Sequence, residues 1–344
     1  MDSLTQIALT RALIDIDSTT GREAQAGAFI AGLLEGLGWS VERQPVVDGR
    51  FNVIARTAEA PVVVFSTHFD CVPPFFPSRE ADERVYGRGA CDAKGTLVAQ
   101  IAAAERLRAS GEQRAGLLFV VGEERGSEGA KTANAAASGS AYLINGEPTD
   151  NRLGAATRGI YRARLRATGR AAHSSLPELG VSAIDKLLDA LVALRGVEWP
   201  DDPDLGRTFY SVGLIKGGVA PNVISPEADA ELMFRTVGGP EPLRQLIEAS
   251  VGSLVSVEDI LVVPPARLTI VPGFDSAVFS FTTDIPWLDR WGAPLLLGPG
   301  SVTLAHTADE YCEIAELAHA VDLYERLAGE LIRAKGRGQR AKGG

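Results

Sequence analysis

The sequence predicts an α/β protein: a mixed, mostly parallel sheet flanked by helices, into which a separate α+β domain of ferredoxin-like order is inserted. Three observations lead there. Short, continuous apolar runs recur at 61–67, 115–121, 141–145 and 295–298, each followed within one loop by a histidine or a carboxylate. Such runs mark strands buried on both faces, as in a parallel sheet. Between the third and fourth runs the pattern changes to strict alternation: Tyr161, Ala163, Leu165 and Ala167 share one face, Arg162, Arg164 and Arg166 the other. That is a strand packed on one side only.

Taken in order, Arg22–Gly36 carries Phe29, Leu33 and Leu34 at helical spacing and stops at glycine. The strand at 61–67 runs directly into His68 and Asp70. Lys94–Ser110 places Leu97, Ile101, Ala104 and Leu107 along one helical stripe. The strand at 115–121 exits at Glu123 and Glu124, the strand at 141–145 exits at Glu147, and the one at 295–298 leads to His306. In open α/β sheets sites form just beyond the carboxyl ends of strands, so these distant residues are expected to converge on one rim. Glu128 is read as a solvated helix-start residue. In the middle, strand 161–167, a helix through Leu187, Leu191 and Leu194, strands 208–216 and 228–236, a helix through Leu243 and Ile247, and strand 257–263 give the order β-α-β-β-α-β. The expected domains are 1–159, an inserted domain 160–267, a return at 268–334 that ends in a helix through Leu317, Tyr324 and Leu331, and a disordered basic tail 335–344.

With 344 residues the chain exceeds a usual single core. Its formal charge of −10 argues against nucleic acid or an anionic membrane as partner. Three cysteines do not suggest a disulfide framework. No apolar run reaches the roughly 20 residues that span a bilayer, and no secretory signal is visible at the start. A cytoplasmic protein is expected.

The chemistry lies in five motifs: Ser66-Thr-His-Phe-Asp70, Gly87-Arg-Gly-Ala-Cys-Asp-Ala-Lys-Gly95, Gly122-Glu-Glu-Arg-Gly126, Gly146-Glu-Pro-Thr149 and Ala305-His-Thr-Ala-Asp-Glu310. Imidazole nitrogen and carboxylate oxygen are the donors that a zinc-type cation takes, and the set leaves carboxylates over for proton transfer. His68 and Asp70 flank one residue on an extended segment and so point to the same side. Asp70 sits too close to His68 to be a convenient ligand of the same ion.

In their order these motifs resemble the dizinc deacylase and exopeptidase family that includes acetylornithine deacetylase, succinyl-diaminopimelate desuccinylase, aminoacylase-1 and carboxypeptidase G. The resemblance covers nearly the whole chain and implies a zinc-exopeptidase-like fold with a lid or dimerisation domain. It implies two divalent cations, zinc first, with cobalt or manganese sharing the donor types. His68 and Glu147 would hold one cation, Glu124 and His306 the other, with Asp92 bridging. Glu123 would be the general base, and Asp70 would orient His68. For the substrate, the resemblance implies Arg235 for a carboxylate, with Arg158 as a second candidate, and Asn222 as a companion. Gly298 and Gly300 would form a loop leaving room for substrate backbone. His173 would reach across a homodimer interface to an oxyanion. Cys71 and Cys91 are read as small buried side chains and His319 as surface.

The expected activity is hydrolysis of an N-acyl amino acid, N-acetyl-ornithine or a related basic one, as in arginine or lysine biosynthesis. Succinyl-diaminopimelate desuccinylase and a metallo-dipeptidase or carboxypeptidase are alternatives on the same scaffold. A metal-free binding protein is the alternative from another class; such proteins usually lose ligands, and here every ligand position is filled.

Overall fold

The computed structural model describes residues 3–57, 59–136 and 139–342. These form two compact units, one of residues 1–155, 268–277 and 283–344, the other of 156–267 and 278–282. No helix among the described residues is long and apolar enough to cross a membrane.

In the larger unit a six-stranded sheet has the order Ser40–Val47, Arg50–Arg56, Ala115–Val120, Val63–His68, Tyr142–Asn145, Ala293–Leu296. The last four run parallel, and the first two form an antiparallel hairpin at one edge. Sequence periodicity did not single out this hairpin. Its signal is the turn dipeptide Asp48-Gly49, both residues at positive φ (51° and 74°), as a tight hairpin demands.

Alternation divides the buried strands between two cores. Phe65, Leu117, Phe119 and Ile144 pack with Leu97 and Ile101 of helix Lys94–Ala109 and with Tyr324 and Leu327 of helix Ile314–Lys342. Val64, Leu118, Val120 and Leu143 face the other way, onto Leu288 and Trp291. Each such side chain contributes roughly 1.5–3 kcal/mol when fully buried, and because both faces are covered the strands read as unbroken apolar runs. The last helix continues to Lys342. The tail expected to be disordered is therefore helical as far as 342, Gly336 and Gly338 included. Residues 343–344 lie outside the described residues.

The smaller unit is an antiparallel sheet of order Phe209–Gly217, Glu227–Thr236, Gly159–Thr168, Ser256–Val263. Helices Ala183–Arg195 and Pro240–Val251 cover one face, burying Tyr161, Leu165, Phe234, Leu187 and Ile247 in one cluster. The first helix starts at Ser182, whose hydroxyl accepts the Asp185 N–H at 3.1 Å, a regular N-cap. On the other face Glu231 takes both Arg162 and Arg164, at 2.5 and 2.6 Å. Edge strand Phe209–Gly217 is exposed along nearly its whole length.

Candidate metal centre

The parallel strands end on one rim, and there the five expected ligands meet. His68 is the last residue of its strand and is buried. Its Nε2 lies 3.0 Å from Asp92 Oδ1 and 3.8 Å from Glu147 Oε2. Across Asp92, His306 Nε2 lies 3.2 Å from the second oxygen, Oδ2, and 3.0 Å from Glu124 Oε1. One carboxylate thus stands between two imidazoles and offers each a different oxygen. Two donor sets result: His68, Asp92 and Glu147; and His306, Asp92 and Glu124. Donor atoms of His68, Asp92 and Glu124 all lie within 4.8 Å of one another.

Local structure explains each placement. Helix Lys94–Ala109 begins after Ala93 without any side-chain cap, which leaves the Asp92 carboxylate free for the imidazoles. Glu123 and Glu124 open a single 3₁₀ turn directly after the strand. His306 holds a left-handed backbone, φ +65°, a conformation that is uncommon without glycine and that functional sites retain.

Asp70 braces more than His68. The hydrogen bond from His68 Nδ1 goes to the Asp70 carbonyl at 3.0 Å, while the carboxylate stands 3.4 Å away. That carboxylate accepts the N–H groups of Glu123 and Glu124, at 3.1 and 3.2 Å, and the Thr20 hydroxyl at 2.9 Å. With Nδ1 facing a carbonyl, His68 holds a proton on Nδ1, so Nε2 is the atom it would offer to a cation beside Asp92.

The electrostatics call for a cation. Burial pushes the Glu123 carboxyl well up, and Glu147, Asp284 and Glu124 add to it against His68. Burial likewise moves Glu147 up to about 8, and its Oε1 is buried with no partner. His306 is pushed up to about 10 by its bonds to Asp92 and Glu124. For His68, burial acts downward, but Asp70, Asp92 and Glu147 outweigh it. Shifts of both signs at one rim mark a crowd of carboxylates that needs positive charge among them. The orphaned Glu147 oxygen, the split Asp92 carboxylate and the N/O donor set all fit two divalent cations.

Other expectations fare differently. On the side where a Cβ would stand, Gly298 and Gly300 are crowded: a Cβ on Gly298 would meet the Glu147 carbonyl oxygen at 2.4 Å, and one on Gly300 the Cys91 sulfur at 2.6 Å. The loop needs glycine because it presses on the chain behind the ligands, and Gly298 O accepts the Asn151 N–H at 2.9 Å. Glu128 starts helix Glu128–Ala135, yet its Oε2 is buried and unpartnered rather than solvated, because it packs against Gly122. Cys71 and Cys91 are buried thiols, and His319 is exposed. Asp284 was missed. It is buried, its carboxyl raised to about 7 by burial with partial relief from Ser127, and it feels the charge of His68 and Asp70. It sits in Thr283-Asp-Ile-Pro286, a stretch without periodicity, directly before the 3₁₀ turn Ile285–Trp287, so no sequence signal flagged it.

The remaining candidates belong to the smaller unit. His173 and Asn222 are neighbours there: Ser174 N donates to Asn222 O at 3.0 Å, and His173 pairs with Val223. The Ser175 N–H donates to His173 Nδ1 at 3.2 Å, which puts the ring proton on Nε2. Arg158 lies over the Phe209 ring at 5.1 Å with its Nε buried and unpartnered. Arg235 stands opposite Phe209 in the sheet register and is partly desolvated.

Comparison with known proteins gives a consistent result. Residues 64–330 match the profile of Peptidase family M20/M25/M40. A probable carboxypeptidase of Aspergillus clavatus is 36% identical, over 92% of this chain and 80% of its own length. Among solved structures, a tripeptidase from Staphylococcus aureus superposes with a TM-score of 0.80 at 20% identity, over 95% of this chain and 99% of that one. A dinuclear metal-binding peptidase of the M20 family from Bacillus subtilis superposes at 0.71 with 15% identity, over 96% and 98%.

Proposed function

This chain belongs to peptidase family M20/M25/M40, and we propose that it is a two-metal carboxypeptidase or dipeptidase, cleaving the amide bond next to a residue with a free α-carboxylate. One observation carries the reading: His68 and His306 address opposite oxygens of Asp92, at 3.0 and 3.2 Å. Two separate donor sets sharing one carboxylate are what a pair of cations needs, and such a pair, when bound, polarises the scissile carbonyl and acidifies water. Zinc suits the donors best; cobalt and manganese share them.

The chain's own residues do the rest. Glu123 takes the proton of the attacking water and returns it to the leaving nitrogen; its raised affinity for protons suits that shuttle. His173, with its proton on Nε2, donates to the carbonyl oxygen as negative charge grows there. Arg235 receives the substrate carboxylate, with Arg158 as the second guanidinium and Asn222 acting alongside its neighbour His173, because a guanidinium fork matches a carboxylate. His173 acting on the site of a second protomer makes the protein a homodimer in this proposal; the bare edge strand Phe209–Gly217, with Val212, Leu214 and Ile215 exposed, supports pairing of two copies.

Peptide substrates are favoured over N-acetyl-ornithine, because the relatives are described as a carboxypeptidase and a tripeptidase. Deacylation of an N-acyl amino acid is the same bond cleavage. Mass-spectrometric product analysis on di- and tripeptides, their C-terminal amides and N-acetyl amino acids, including N-acetyl-ornithine, tests the proposal. Zinc-loaded protein is expected to cleave free-acid peptides and spare the amides. Equal cleavage of amides, or none of any compound, overturns it.

A further inference from the structure

Glu310 touches neither imidazole, yet it holds the segment that carries Asp92. Residues 87–92 have six backbone N–H groups, and each has a partner. Arg88 N donates to Phe76 O and Ala90 N to Gly87 O. The other four go to Glu310: Gly87 N to its carbonyl at 3.1 Å, and Gly89, Cys91 and Asp92 N to its Oε1 at 3.0, 3.1 and 3.1 Å. Its other oxygen, Oε2, accepts Arg88 Nη1 at 2.5 Å. Glu310 is fully buried.

Directly after Glu310 the chain pairs with the stretch before Gly87, Tyr311 opposite Tyr86, Cys312 opposite Val85 and Glu313 opposite Arg84. Two arms therefore leave one short ladder. One leads to Asp92, the other back to His306, and Glu310 ties them at the fork. Cys91 Sγ, donating to Ser301 O at 3.3 Å, is a second and weaker tie. Arg88 extends the clamp to a third loop, donating to Pro74 O at 3.3 Å and stacking on Phe76 at 4.9 Å.

We propose that Glu310 is a positioning residue that sets the distance between Asp92 and His306 and thereby decides how tightly the second donor set holds its cation. This rests on the two-cation reading above. His68 is fixed by its own strand and by Asp70, independently of the clamp. His306 sits half-exposed on the loop that Glu310 ends, so its donor set has both His306 and Asp92 on the clamp, whereas the His68–Glu147 set shares only Asp92 and depends on the clamp less. Three convergent N–H groups define one acceptor point, and a fixed carboxylate in it sets the loop as a supporting shell sets a ligand.

The test titrates chelator-stripped protein with Zn²⁺ by calorimetry, and with Co²⁺ by visible absorption, which reads each site's geometry without reference to turnover. Wild type is expected to take up two cations. Glu310→Gln is expected to keep the first within about threefold and to loosen the second by about 10–100-fold, because its amide cannot satisfy both the three N–H groups and the guanidinium. In Glu310→Gln/Arg88→Met the guanidinium is gone and the amide oxygen serves the N–H groups alone, so the second cation is expected to return to within about tenfold of wild type. Glu310→Ala/Arg88→Met, equally neutral but without the acceptor, is expected to lose it. This pair of double variants decides the matter even where Glu310→Gln does not fold. Unchanged second-site affinity in folded Glu310→Gln, equal loosening of both sites, or identical behaviour of the two double variants overturns the positioning role. Wild type that takes up fewer than two cations instead overturns the two-cation reading, and this inference with it.

Discussion

The Asp70 carboxylate accepts the Glu123 N–H at 3.1 Å, so the residue that fixes His68 also fixes the turn bearing the proposed base. Loss of Asp70 should therefore disturb proton transfer as well as metal affinity. Asp70→Ala is expected to lower kcat/KM by about 10–100-fold, the usual cost of losing a ligand's supporting partner. Thr20→Val, which removes only the hydroxyl on Asp70 Oδ2, should cost a few-fold. Steady-state kinetics on zinc-loaded variants checks both. A Thr20→Val defect as large as that of Asp70→Ala would contradict the assignment.

Glu123 carries no ligand duty in the proposed scheme. Glu123→Gln should reduce kcat by roughly 10²–10⁴-fold and leave two cations per chain by elemental analysis. Glu124→Gln should instead weaken the cation held with His306. A Glu123→Gln protein that turns over normally would transfer the base to another carboxylate, Asp284 first.

The glycine loop is tested through stability. Gly298→Ala places a methyl 2.4 Å from the Glu147 carbonyl oxygen, and Gly300→Ala adds a left-handed φ of +78° to a contact with Cys91. Overpacking of this kind costs about 1–3 kcal/mol, to be read from urea midpoints. Gly298→Ala should also shift metal affinity, because the strain falls on the Glu147 segment. Unaltered stability in both variants would show that the loop has room after all.

A pH effect is expected away from the site. Hydrogen bonds from Arg164 and Arg162 hold the Glu231 carboxyl below its ordinary range. A carboxylate with a depressed folded-state pKa contributes stability above its unfolded value, and loses it as pH falls through the folded value. The wild-type urea midpoint should thus decline at acid pH below the usual glutamate range, and Glu231→Gln should decline less steeply over the same window. Parallel declines would remove Glu231 as a cause.

Much of this architecture was legible because chemistry and periodicity coincide. Val63–His68 and Ala115–Val120 are apolar on both faces and end in ligand-type residues, so strand and site were read together. The hairpin at 40–56 was missed because Glu42, Arg43, Gln44 and Asn52 dilute its apolar pattern; only Asp48-Gly49 marks it. Gly298 and Gly300 were read as leaving room for substrate backbone; which protein atoms lie where their Cβ would stand is not written in a sequence. Asp284 and Glu310 carry no period at all. Their weight comes from burial and from partners far along the chain, such as the Gly89, Cys91 and Asp92 amides.

The split of the larger unit around the smaller one has a consequence for biosynthesis. His68, Asp92, Glu124 and Glu147 leave the ribosome early, with five of the six strands of their sheet. The sixth strand, then His306 and Glu310, follow only after the intervening unit has been translated. A nascent chain therefore carries a half-built acidic basin for much of its synthesis, and the centre closes only when the far end of the polypeptide docks.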